Sequence, residues 1–176
     1  MAVVARSPGG EETRTMLSAL RKFFDEAIRP AETAADAEAR EGAVRRATAA
    51  LLVEMMRADF SVDPAERAHV LELLVSHFDL DVPTAERLMA LAEAEVAEAN
   101  DLFGFTRLVD RACSPEEKIR ILELLWEVAW ADGRLDKYEE YLVRKLADLL
   151  HVRHADMMQA KHRVLDRLGP GRREGI

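Results

Sequence analysis

Cysteine is all but missing from this chain: Cys113 stands alone, so no disulfide can form within it, and a reducing compartment suits it. Eight glycines and six prolines among 176 residues are too few for a turn-rich sheet protein. Aromatic residues are only 6%, and no long alternating runs of Val, Ile and Thr occur, so almost no sheet is expected. No stretch of about 18 uncharged apolar residues is present, which argues against membrane insertion. Residues 1–10 have no long apolar run of the signal-peptide type, and the expected location is the cytoplasm. A concentrated basic face is also missing. The formal charge is −8 with a pI near 5.2, and the only basic clusters are Arg45-Arg46 and Arg172-Arg173, which argues against nucleic acid as a partner.

What the chain does hold is the palette of a helical protein. Hydrophobic residues make up 49%, enough for a core, and Ala, Leu, Glu, Arg and Met lose little side-chain freedom in a helix. Residues 1–10, with Ser7-Pro8-Gly9-Gly10, are expected to be a disordered leader. Met16, Leu17, Leu20, Phe23, Phe24 and Ala27 recur at helical spacing, so an amphipathic helix is expected over 11–29, stopped by Pro30. Residues 31–42 lack large apolar side chains and are either a mobile connection or an exposed helix start. From Val44 onward Ala47, Leu51, Met55 and Ala58 keep one face apolar, and Leu52 and Met56 widen it. Further helices are expected after Asp63-Pro64, over 83–98, around Phe103 to Val109, from Ser114-Pro115, from Asp136 and over 153–168. The fold class is therefore all-α, a single-domain helical bundle of about seven helices.

Two breaks in the helical pattern resemble each other. Leu51 to Glu54 lies over Leu124 to Glu127, Ala58-Asp59 over Ala131-Asp132, Val62-Asp63 over Leu135-Asp136, and Glu66 over Glu139, all at one offset; a one-residue slip then sets Leu80 over Val152. The pattern is two pseudo-repeated helix–loop–helix units, 44–98 and 115–168, each ending in a third helix, within a domain spanning 43–168 and followed by a tail over 169–176. A unit of this kind cannot cover its own apolar face, so the two copies are expected to pack on each other.

The constellation with chemical content is Asp59, Asp63 and Glu66, repeated as Asp132, Asp136 and Glu139. Two readings stand side by side. In the first, Asp63 and Asp136 cap their helices, Glu66 and Glu139 close capping boxes, and Asp132-Gly133 supplies a left-handed turn. In the second, the extra carboxylates at the loop start, with Glu54 or Glu127 before them, surround a divalent cation such as calcium or magnesium, which takes oxygen ligands. The spacing is not that of an EF-hand loop. His69, His77, His151, His154 and His162 show no zinc spacing. There is no nucleophile elbow, phosphate-cradling glycine loop or HExxH, so a non-enzymatic role is expected. Trp126 and Trp130, with Tyr138 and Tyr141 nearby, are expected in the core between the repeats, the alternative being a surface for a protein partner.

The string LLWEVAWADGRLDKYEE, which carries Asp132, Asp136 and Glu139, resembles the TerB-like (tellurite resistance protein B) family, whose signature is an apolar helix ending in Ala-Asp-Gly, an aliphatic spacer and a Glu opening the next helix. DLFGFTRLVDRACSPEEKI upstream looks like the same group. The resemblance covers 43–168 and is looser in the first repeat, where Phe60 stands in place of the expected Gly. It implies a helical bundle with paired acidic corners proposed to hold divalent metal, a link to tellurite and general stress responses, and membrane-bound or chaperone partners.

Overall fold

In a computed structural model the described residues are 33–58 and 64–169. The helix expected over 11–29, and Asp59, Phe60 and Asp63 of the first corner, lie outside them. Seven helices follow one another, with no strand among the described residues: α1 (Ala34–Met56), α2 (Pro64–Phe78), α3 (Val82–Glu98), α4 (Phe103–Ala112), α5 (Pro115–Ala129), α6 (Lys137–Leu149) and α7 (His154–Leu168). None of the described helices is long and apolar enough to cross a membrane.

The punctuation in the sequence sets most of these boundaries. Ser114 accepts from the amide of Glu117 (3.2 Å) while the Glu117 carboxylate accepts from the amide of Ser114 (2.6 Å), a closed capping box with Pro115 at the first helical position. Asp81 caps α3 through Thr84 N–H (2.7 Å), and Asp101 accepts from the Phe103 amide at the start of α4 (2.9 Å). Over its described part, 33–42, the stretch 31–42 follows the second of its two readings. Thr33 and Asp36 form a capping box, so the Ala- and Glu-rich stretch is an exposed helical beginning well ahead of Val44.

α1 is the central rod. It packs most extensively on α3 and α4, and also touches α2, α5 and α6. From Ala47 through Val53 every residue has no exposed surface, so two full turns are buried all round, as expected for a helix surrounded by others. α5 packs chiefly on α7 and then on α1. The element order thus runs α1–α2–α3 and again α5–α6–α7, with α4 between. In each run the first helix packs chiefly on the third, and the two runs meet across α1 and α5.

The helices that leave the corners also end alike. Asp79 after α2 and His151 after α6 take left-handed backbone, with φ of 51° and 55°. The next amide in each case donates five residues back, Leu80 N–H to Val75 O (3.1 Å) and Val152 N–H to Ala147 O (2.9 Å), which is the long bond of a Schellman closure. Aspartate and histidine tolerate this conformation better than most residues with a Cβ, so no glycine is needed at either place.

Candidate functional site

The second corner, between α5 and α6, is the one described throughout. Trp130 is the C-cap of α5 and Ala131 follows it, and Gly133, with φ of 84°, reverses the chain where a side chain would be strained. The Asp132 carboxylate accepts from the Arg134 amide (2.8 Å), holding the loop in an Asx-type turn. Asp136 is the N-cap of α6, accepting from Tyr138 N–H (2.7 Å). Glu139 reaches back to accept from Asp136 N–H (2.9 Å). The three carboxylates thus serve amides of the turn itself. Among the described residues no group of three or more His, Cys, Asp or Glu is disposed to hold a metal ion.

The carboxylates placed one turn or more upstream differ in their fate. Glu127 is drawn sideways to α7, accepting from Arg167 Nη2 (2.5 Å), and its neighbour Glu123 takes Arg163 Nε (2.6 Å) and Arg167 Nη1 (2.9 Å). Burial opposes ionisation of Glu123, but the hydrogen bonds from Arg167 and Arg163 outweigh it and hold the carboxyl below its usual range. Glu127 is therefore a strut between α5 and α7. In the first corner Glu66 lies in the first turn of α2, and its companions Asp59 and Asp63 fall outside the described residues.

The aromatic residues divide. Trp126 and Trp130 are fully buried, as expected, whereas Tyr138 and Tyr141 are 53% and 60% exposed, correcting the expectation that they join the core. The buried stripe of α6 is Leu142, Val143, Leu146 and Ala147. At a helical period Tyr141 falls on the opposite side of that stripe, and Tyr138 in the first turn stands clear of its centre. Their rings lie 6.5 Å apart, tilted by 40°, a small exposed aromatic ledge on the first two turns of α6, the helix that the acidic turn opens.

Two arrangements had no signature in the sequence. Lys161 of α7 is buried, with its ammonium 5.0 Å from the Trp126 ring and 5.5 Å from the Trp130 ring, and Glu140 of α6 3.3 Å away. Stacking over both indoles replaces part of the lost hydration of the cation. At the far end of α4, Asp110 binds Lys118 Nζ (2.6 Å) and His151 Nδ1 (3.0 Å), tying α4, α5 and the left-handed turn after α6 together. Burial raises the cost of the Asp110 charge, and the hydrogen bonds from Lys118 and His151 overcome this and lower its pKa. Both join residues far apart in the chain, so only a periodicity argument extended across three helices could have found them.

Comparison with curated proteins and with solved structures yields no significant match. The family described as tellurite resistance protein TerB matches residues 45–162, from the first buried turns of α1 into α7, including both corners. With that match over most of the chain, and with an all-helical bundle whose α5–α6 turn carries the Ala-Asp-Gly and Glu signature in place, the protein belongs to the TerB family.

Proposed function

We propose that the protein is a non-enzymatic helical interaction module of the tellurite-resistance and stress-response type, and that its acidic turns shape the surface offered to a protein partner. The observation that supports this reading is the second corner. Its carboxylates are spent on backbone amides, and two tyrosines beside them face solvent. Tyrosine combines apolar area with a polar tip and is enriched at protein interfaces. Flanked by Asp132 and Asp136 on a chain of net charge −8, the ledge suits a basic segment of a partner, through cation–π contact and charge complementarity.

The second reading is the divalent cation, favoured by three carboxylates gathered on one turn. There the ion would relieve their mutual repulsion and stiffen the joint. Thermal melts with calcium, magnesium, manganese or zinc separate the two. The interaction reading expects the wild-type midpoint to be indifferent to all four, and Asp136→Ala to lose about 1 kcal/mol of cap energy with or without ion. An ion-dependent rise in midpoint that disappears in Asp132→Asn would replace it with the cation reading. In an NMR titration with an oligolysine probe, the interaction reading expects shifts centred on Tyr138 and Tyr141 that are absent from the Tyr138→Ser/Tyr141→Ser variant.

A further inference from the structure

A groove of about 530 Å³ runs beside the first turns of α1, within the size range of small-molecule sites. Its apolar lining comes from Ala37 and Val44 of α1, Phe78 at the end of α2, and Ala112, Cys113 and Ile121 around the α4–α5 junction. Burial, and after it the Arg120 charge, lowers the pKa of His77 in the wall, so its imidazole is neutral at pH 7. Burial also pushes the Cys113 thiol up to about 11, which keeps it protonated and apolar. The groove is thus an apolar surface assembled from four helices, and it shares no residue with the acidic corner or the tyrosine ledge.

Charge at its rim is less balanced than a count suggests. Arg40, Glu41, Glu117 and Arg120 all line the groove, two of each sign, but both acids are already engaged. Glu41 pairs with Arg45 one turn along α1, and Glu117 accepts from the Ser114 amide (2.6 Å) in the capping box of α5. The arginines keep donors to spare. Arg40 donates from Nη2 to Ala112 O (2.5 Å), which steadies its guanidinium at the edge and leaves Nε and Nη1 without a hydrogen bond among the described residues. Arg120 makes no hydrogen bond or ion pair among the described residues, and its charge is felt at His77 on α2.

We propose that the groove binds a small amphipathic carboxylate of the fatty-acid type, its aliphatic chain against Val44, Phe78 and Ile121 and its head group beside Arg40 and Arg120. A guanidinium offers a carboxylate parallel N–H donors and stays charged across the physiological pH range. A cationic head would meet the same two arginines while both neighbouring acids are occupied elsewhere, so charge complementarity selects the anion. The inference is independent of what the acidic corner and the ledge bind.

The test is calorimetric titration of the full-length chain with decanoate and with decyltrimethylammonium, which share a chain length and differ in head-group charge. Cys113 lines the groove and is the only cysteine of the chain, so its rate of modification by a small thiol reagent reports where the probe sits. Two full-length variants accompany wild type: Arg120→Glu reverses the charge at one exposed position, and Ala37→Trp fills the groove from another. Saturable binding of decanoate is expected, with Cys113 slowed about tenfold once the probe stands at about ten times its Kd. Decyltrimethylammonium should bind at least about tenfold more weakly, and Arg120→Glu should cost decanoate about tenfold or more in affinity. Ala37→Trp should abolish protection of Cys113, with the circular dichroism of both variants unchanged. Absence of decanoate binding, equal affinity for the two probes, binding that leaves Cys113 unprotected, or affinity unchanged in both variants each overturns the proposal.

Discussion

α1 and α5 carry matching stretches of sequence, Leu51 to Glu54 and Leu124 to Glu127, yet they live in different surroundings. At the repeat offset, Ala43, Ala47 and Ala50 of α1 lie over Glu116, Arg120 and Glu123 of α5. The three alanines have no exposed surface, because α3 and α4 cover that side of α1. The charged residues face solvent or the arginines of α7. α5 compensates with size on its inner side, where Trp126 stands over Val53 of α1, both fully buried. One helix is thin and surrounded, the other broad and one-sided. Small side chains let neighbours approach α1 from every direction, whereas bulk on α5 fills the space that a single facing layer leaves open.

Exchanging equivalent residues is the sharpest way to break this comparison. Ala50→Glu gives α1 the residue that α5 carries at the matching place, burying an unpaired carboxylate among close-packed helices. A loss of more than about 4 kcal/mol, or failure to fold, is expected in a denaturant titration. Trp126→Ala removes the bulk that distinguishes α5 and leaves a cavity beneath Lys161. Its expected cost is about 3–5 kcal/mol, read as a fall in the urea midpoint at unchanged slope.

The mildest exchange concerns charge on the solvent side. Glu123→Gln keeps the shape but drops the pairing with Arg163 and Arg167, whose side chains are about half exposed. Solvent screening holds the loss to about 1 kcal/mol. The folded pKa of Glu123 lies below its unfolded value, so this contribution is full above the ordinary carboxylate range and disappears as pH falls through the folded value. Melting curves of wild type and variant should therefore differ near neutrality and converge in acid. A gap that persists at low pH would assign the difference to packing.

The helices were legible because local signals carried them: Ser114-Pro115 with Glu117, Asp81 before Val82-Pro83, and Asp136 with Glu139 all cap where the spacing places them. The second corner was legible for the same reason, since its hydrogen bonds join residues two or three apart. Tyr138 and Tyr141 were misplaced because aromatic character was weighed ahead of helical phase; Leu142 and Leu146 already marked the inward side. The Asp110–Lys118–His151 knot and the seating of Lys161 depend on how α4, α5, α6 and α7 cross, which no single helix encodes. The correspondence between the two runs of helices was visible as residue identities, but the contrast between Ala50 and Glu123 acquires meaning only once α3 and α4 are seen to cover α1.

The seat of Lys161 has a consequence for watching this molecule at work. The chain has two tryptophans, both on the same stretch of backbone and both beneath one ammonium group. Intrinsic emission excited at the indole band therefore reports on α5 and on its contact with α7 through Lys161. Circular dichroism averages over every helix. Coincident transitions from the two signals would show that the thin, surrounded rod and the broad, one-sided one give way as a single cooperative unit.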